Sequence, residues 1–240
     1  MEERTMKGKS LLVTTLALIL LSFCLYATAE VKYLGTDIET QGNWIGEYGA
    51  SGAIIFCNKE NHNGDLPIPY EPDENQKLFE KGLIKEISIT SSGAAKAYGW
   101  IFNENPGDNE KAPWLVDKSA RYAACVSGRT NDVAMTLTVD STHYKVSVYS
   151  LDFDTTARNF QAFGYQGEDM PDDPDDEIDK YTDGVYLTWE VTGQDPFQYH
   201  AKNGAGSVNY VASAVFIDGT ASVQSNDKLS ILWGSIKSTP

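Results

Sequence analysis

Val185-Tyr186-Leu187-Thr188-Trp189-Glu190-Val191-Thr192, opened by Asp183-Gly184 and closed by Gly193, decides the fold class of this 240-residue chain. Val185, Leu187, Trp189 and Val191 fall on one side of an extended backbone, and Tyr186, Thr188, Glu190 and Thr192 on the other. Successive side chains of a strand point to opposite faces. A strand so patterned has one side in a core and one side wet, as antiparallel sheets allow. On this reading Trp189 is a core residue and Tyr186 is an exposed aromatic.

The same alternation recurs upstream. Val133, Met135, Leu137 and Val139 take one face, with Ala134, Thr136 and Thr138 between them. Further strand candidates are residues 83–89, 97–102, 121–126, 143–151, 159–165, 208–217 and 229–233. All are short, rich in β-branched and aromatic residues, and separated by Gly, Pro, Asn and Asp. No segment after residue 29 carries a helical pattern of three turns. Many short strands without helical crossovers predict an all-β fold, an antiparallel two-sheet sandwich of jelly-roll type. A closed barrel is the alternative architecture.

Two regions interrupt the strands. Residues 58–76 carry Pro67, Pro69 and Pro72 among Asn, Asp and Glu, the composition of a surface loop. Residues 168–179 hold eight acidic side chains in twelve positions. Asp172, Asp173, Asp175, Asp176 and Asp179 supply hard oxygen ligands of the kind that wrap calcium, although an EF-hand's central Gly is absent and two prolines break the run. The other reading of this insert is a solvated loop of like charges.

Residues 1–29 have the build of a signal peptide. Arg4, Lys7 and Lys9 precede an almost wholly apolar run over 11–25, and Ala27-Thr28-Ala29 fits a cleavage site before Glu30. The apolar run falls short of the roughly 20 residues that span a bilayer, so no membrane span is expected after its removal. The chain's net charge is −15. Removing residues 1–29 takes away three basic and two acidic side chains, which leaves 16 basic, 32 acidic and a net −16. Such a surface repels nucleic-acid phosphates and anionic lipid. Residues 30–219 are expected to form one domain, with 220–240 as an edge strand or tail. Cys57 and Cys125 remain after cleavage, as a disulfide in an oxidising compartment or as two buried thiols.

Three segments in order resemble a known module. They are Thr40-Gln41-Gly42-Asn43-Trp44 with Tyr48-Gly49 and Gly52, then Val146-Ser147-Val148-Tyr149-Ser150-Leu151-Asp152-Phe153-Asp154 with Arg158, then Gly184 to Gly193. Together they are similar to galactose-binding-like and other carbohydrate-binding β-sandwich domains of secreted bacterial proteins, over roughly residues 31–219. The resemblance implies a β-sandwich, often appended to extracellular enzymes or to repeated adhesive domains. It also implies an extracellular glycan or an envelope component as partner.

Sugar sites combine flat aromatic faces with a few polar groups for the hydroxyls. Trp44, Tyr48, Trp100, Trp114 and Tyr186 are candidates for the first role, and Asn43, Asp152, Asp154 and Arg158 for the second. The glycine-rich stretch 40–52 either plugs the end of the sandwich with its two aromatics or offers them to a ligand. Asp152 and Asp154 share a strand face about 7 Å apart and could hold a cation. In the alternative, Asp154 caps the turn through Thr155 and Thr156 while Arg158 neutralises the pair. Catalysis has little support. His62, His143 and His200 lack ligand spacing, and there is no Gly-x-Ser-x-Gly elbow and no phosphate loop. The expected function is an exported, noncatalytic module that binds an extracellular carbohydrate. An envelope or matrix adhesion module, dependent on calcium, is the second reading, and a small secreted glycoside hydrolase the third.

Overall fold

The computed structural model describes residues 29–79, 83–91, 95–128 and 132–219. The expected signal segment, apart from Ala29, lies outside them, as do the 229–233 strand and the rest of the 220–240 tail. Within them the protein is an all-β sandwich, with every strand pair antiparallel. One turn of 3-10 helix at Glu74–Gln76 is the helical content of the described residues, and none of their helices is long and apolar enough to cross a membrane.

The first sheet has six strands, in the order β1 (Glu30–Asp37), β13 (Val185–Thr192), β10 (His143–Ser150), β16 (Ala214–Gly219), β2 (Gly52–Ile55) and β4 (Lys77–Phe79). The second also has six: β12 (Asp176–Ile178), β11 (Phe160–Gln166), β14 (Phe197–Asn203), β9 (Val133–Val139), β5 (Ile84–Ser91) and β6 (Ala95–Lys96). A third, of four strands, runs β15 (Val211–Ala212), β8 (Ala123–Ser127), β7 (Tyr98–Asn103) and β3 (Gly64–Asp65). Two sheets were expected, and the third is the main addition. The expected strand at 208–217 is divided by Ser213 between β15 and β16, so the chain steps there from the third sheet to the first.

The alternation of β13 sets the principal core. Val185, Leu187, Trp189 and Val191 are buried against Phe197, Tyr199 and Ala201 of β14 and Val133, Met135 and Leu137 of β9. The ring centroid of Trp189 lies 5.7 Å from that of Phe197 and 5.5 Å from that of Tyr199. Its indole N–H donates to the Asp175 carboxylate at 2.8 Å, which satisfies the one polar atom that burial would orphan. Gly164 of β11 makes room for this ring. A Cβ there would sit 2.4 Å from the indole nitrogen.

On its other face β13 departs from the expectation. Thr188, Glu190 and Thr192 are half-buried, as a partly wet face requires, but Tyr186 is 0% exposed. A second core covers that end of the first sheet. It gathers Ala53, Ile55, Tyr149, Tyr186, Ala214 and Phe216 from the sheet, with Leu151 just past β10, under Trp44, Ile101, Leu115, Tyr122 and Ala124 from loops and the third sheet. The first sheet is therefore sandwiched on both faces at one end, where period-two patterning forecasts a wet side.

Candidate functional site

Strand β7 carries Tyr98, Trp100 and Phe102 on one face, while Gly99 and Ile101 are buried on the other. The three rings line a cleft of about 520 Å³, inside the range of roughly 300–1,000 Å³ usual for ligand sites. Cys125 and Ser127 of β8, Val211 of β15, and Asn209 line it with them, and Asp154 and Arg158 add charge. Trp100 is 39% exposed, an unusual degree for the largest apolar side chain, with Tyr98 and Phe102 half-buried beside it. The rings of Tyr98 and Trp100 are 6.4 Å apart and 19° from parallel.

Neighbouring groups brace the aromatic row. The His62 ring lies 4.8 Å from Trp100, and its Nδ1 accepts the backbone N–H of Ile101 at 3.0 Å. That bond leaves Nε2 to carry the proton of the neutral ring. Phe153 stacks on Phe102 at 5.9 Å and 25°, and the Arg158 guanidinium lies 5.9 Å from the Phe102 ring centre.

The polar residues come from the loop after β10. Asp152, 2% exposed, caps this loop by accepting the N–H of Thr155 at 3.1 Å and its hydroxyl at 2.9 Å. Capping was expected of Asp154. The structure gives it to Asp152, and Asp154, whose side chain is 44% exposed, faces the cleft instead. The buried guanidinium of Arg158 bonds both carboxylates, and its Nε donates to Asn209 Oδ1 at 2.9 Å. Asn209 passes the chain on, donating to Ser127 Oγ at 2.6 Å. Burial alone would pull Arg158 down, but the hydrogen bond and charge of Asp154, together with Asp152, hold it above its ordinary pKa. Arg158 thus neutralises the Asp152 and Asp154 pair, as the alternative reading of this segment expected.

Residues 40–52 are a plug. Trp44 is 3% exposed, its indole N–H donates to the Trp114 carbonyl at 2.8 Å, and its ring lies 5.1 Å from Phe216. Tyr48 is half-buried and stacks on Tyr186 at 4.2 Å and 4°. The Tyr186 hydroxyl donates to the Gln41 carbonyl, and burial pushes that phenol well above its ordinary pKa. Gly42 is required by a close approach, since a Cβ there would meet the Ala112 carbonyl oxygen at 2.2 Å. Asn43 is exposed, but its Oδ1 accepts from Arg121 at 2.5 Å. Asp37 fastens the plug by accepting from the backbone N–H groups of Glu39 and Thr40, the Thr40 hydroxyl and the Tyr48 hydroxyl. Burial pushes Asp37 up, and these bonds outweigh it to hold the carboxylate below its usual value. Its contribution to stability is therefore present at neutral pH and lost as pH falls through the folded-state value. Trp44 and Tyr186 thus belong to the second core and Tyr48 packs half-buried against it, away from the cleft over β7.

The acidic insert packs in part against the sandwich. Among the described residues no group of three or more His, Cys, Asp or Glu side chains converges to hold a metal ion. Residues 176–178 form β12 at the edge of the second sheet. Asp175 accepts from the Trp189 indole and from the Gly164 N–H at 2.6 Å, and Asp176 accepts the Tyr33 hydroxyl at 2.7 Å. Asp172, Asp173 and Asp179 are exposed. Of the calcium candidates at 172, 173, 175, 176 and 179, two are thus hydrogen-bonded within the sandwich and three are exposed. Cys57 and Cys125 are buried free thiols, not a disulfide, and burial pushes Cys57 up to about 12.

No family model matches the chain, and no curated protein matches it. The cleft therefore rests on its own geometry. It unites Trp100, Asp152, Asp154 and Arg158 from the sequence candidates and adds Tyr98, Phe102, Ser127 and Asn209. Aromatic residues at 98, 100 and 102, inside a strand already recognised, were the signal for the first two. For Ser127 and Asn209 no local pattern exists, since tertiary packing alone brings them to the cleft.

Proposed function

We propose that this chain is an exported, noncatalytic β-sandwich module that binds an extracellular carbohydrate in the cleft over β7. The observation that carries this reading is the exposed face of Trp100 between Tyr98 and Phe102, with the Asp154 carboxylate beside it. Aromatic faces pack against sugar C–H groups, and a carboxylate accepts hydrogen bonds from hydroxyls. Export is supported by the composition of residues 1–29 and carbohydrate by the resemblance of the three ordered segments. Binding without turnover fits the use of the site's two carboxylates, because both are tied to Arg158 and one caps a loop.

Affinity electrophoresis through gels holding dissolved polysaccharides tests this directly. The native protein is expected to be retarded by at least one glycan. Trp100→Ala is expected to migrate freely, with a loss of about 2 kcal/mol or more, as for an aromatic hot spot. Its melting temperature should stay close to native, because the side chain removed is already partly in water. Equal retardation of both proteins would refute the assignment of the cleft.

A further inference from the structure

We infer that the Tyr98, Trp100 and Phe102 row takes the flat face of a neutral, linear, ribbon-like polysaccharide, laid along β7 as internal chain. This rests on carbohydrate being the ligand of the cleft, and it is drawn from three features of that cleft.

The first is length. Side chains at 98, 100 and 102 share a strand face, and at ~3.3 Å per residue the row runs about 13 Å. A single terminal sugar would cover one ring and leave the others in water. An oligosaccharide stretch covers all three.

The second is the tilt between rings. Tyr98 and Trp100 are only 19° from parallel, so sugars stacked on them must present faces in nearly parallel planes. A ribbon with near-twofold symmetry, such as a β-1,4-linked glucan or mannan, does this. A chain that winds as a helix turns its successive sugar faces away from one another, and it would meet one ring and miss the next.

The third is charge. Arg158 is the one cation among the residues lining the cleft, and it is matched by Asp152 and Asp154, which outnumber it. The half-exposed Asp154 therefore presents net negative charge to the ligand, on a chain whose overall charge is −15. A uronate-bearing glycan is repelled here, while neutral hydroxyls find an acceptor.

Titration calorimetry of the full chain against cellohexaose, mannohexaose, laminarihexaose, maltohexaose and an oligogalacturonate separates these possibilities. Cellohexaose or mannohexaose is expected to bind at least about ten-fold more tightly than the helical or anionic probes, as contact with one ring fewer or repulsion between like charges would dictate. In the cello series, affinity should climb from monosaccharide upward until the chain spans the ~13 Å row. Asp154→Asn should narrow the gap between cellohexaose and oligogalacturonate, and Trp100→Phe should keep the selectivity that Trp100→Ala loses. Tighter or equal binding of the laminari-, malto- or galacturonate probe would overturn the inference and leave carbohydrate binding standing. Glucose binding as tightly as cellohexaose would likewise overturn the internal-chain geometry. Heat from none of the probes would overturn the inference, while the proposed function beneath it stands or falls on retardation by the dissolved polysaccharides.

Discussion

Arg158→Met is expected to lower stability by about 3 to 5 kcal/mol, the cost of leaving a buried charge without its partner. The side chains of Arg158 and Asp152 are 7% and 1% exposed, so water cannot replace the lost guanidinium. Methionine retains an apolar stem of comparable length beside Phe102, which confines most of the loss to charge and hydrogen bonding. Asn209 also loses the donor at its Oδ1, which slackens the link from the loop to Ser127. Urea denaturation monitored by far-UV circular dichroism gives the difference. Asp152→Asn in the Arg158→Met background should recover part of it, because the amide needs no counter-charge and its oxygen can still accept the Thr155 N–H. By contrast Asp154→Asn alone should cost about 1 kcal/mol or less, since that carboxylate is half in water. A single Arg158→Met loss as small as that would mean the triad does not hold the loop.

Tyr186→Ala is the second large effect, about 3 to 5 kcal/mol and a melting temperature lower by roughly 10 °C. Its ring stacks on Tyr48 at 4.2 Å and packs against the tilted Tyr149 at 4.4 Å, with Phe216 at 5.8 Å, and it is wholly buried. Truncation opens a cavity among rigid rings that cannot collapse into it, and it frees the Gln41 carbonyl that the hydroxyl holds. Tyr186→Phe removes the hydroxyl alone and should cost about 1 kcal/mol. Both variants should bind glycan with native affinity at temperatures where they are folded. Loss of affinity in folded Tyr186→Phe would return the plug to the binding site.

Strand identity was legible because hydrophobic alternation is local. The alternating residues of β9 and β13 and the short apolar runs near β5, β7, β8, β10 and β11 lie where the sequence pattern places them. β1 escaped notice because only Val31 and Tyr33 of its four inward positions are apolar, while the apolar Leu34 points outward at 43% exposed. The face of Tyr186 was misjudged for a different reason. Alternation tells which side a residue takes, but whether that side is wet depends on a second layer built from residues 40–49 and the third sheet, far away in sequence. The same layer decides the fate of Trp44 and Tyr48. In the acidic insert, composition suggested a solvated or metal-binding loop, yet Asp175 and Asp176 are held by Trp189, Gly164 and Tyr33, partners that no local rule identifies.

With β7 as the binding face and the glycine-rich plug as a core element, the tryptophan indole N–H signals in a ¹H–¹⁵N spectrum report on each separately. The chain has five tryptophans. On titration with cellohexaose, and in turn with each other oligosaccharide, the Trp100 signal is expected to shift. Those of Trp44 and Trp189, bonded within the core to the Trp114 carbonyl and to Asp175, should stay in place. A shift of the Trp44 signal with Trp100 unmoved would instead put the ligand on the plug and contradict binding over β7.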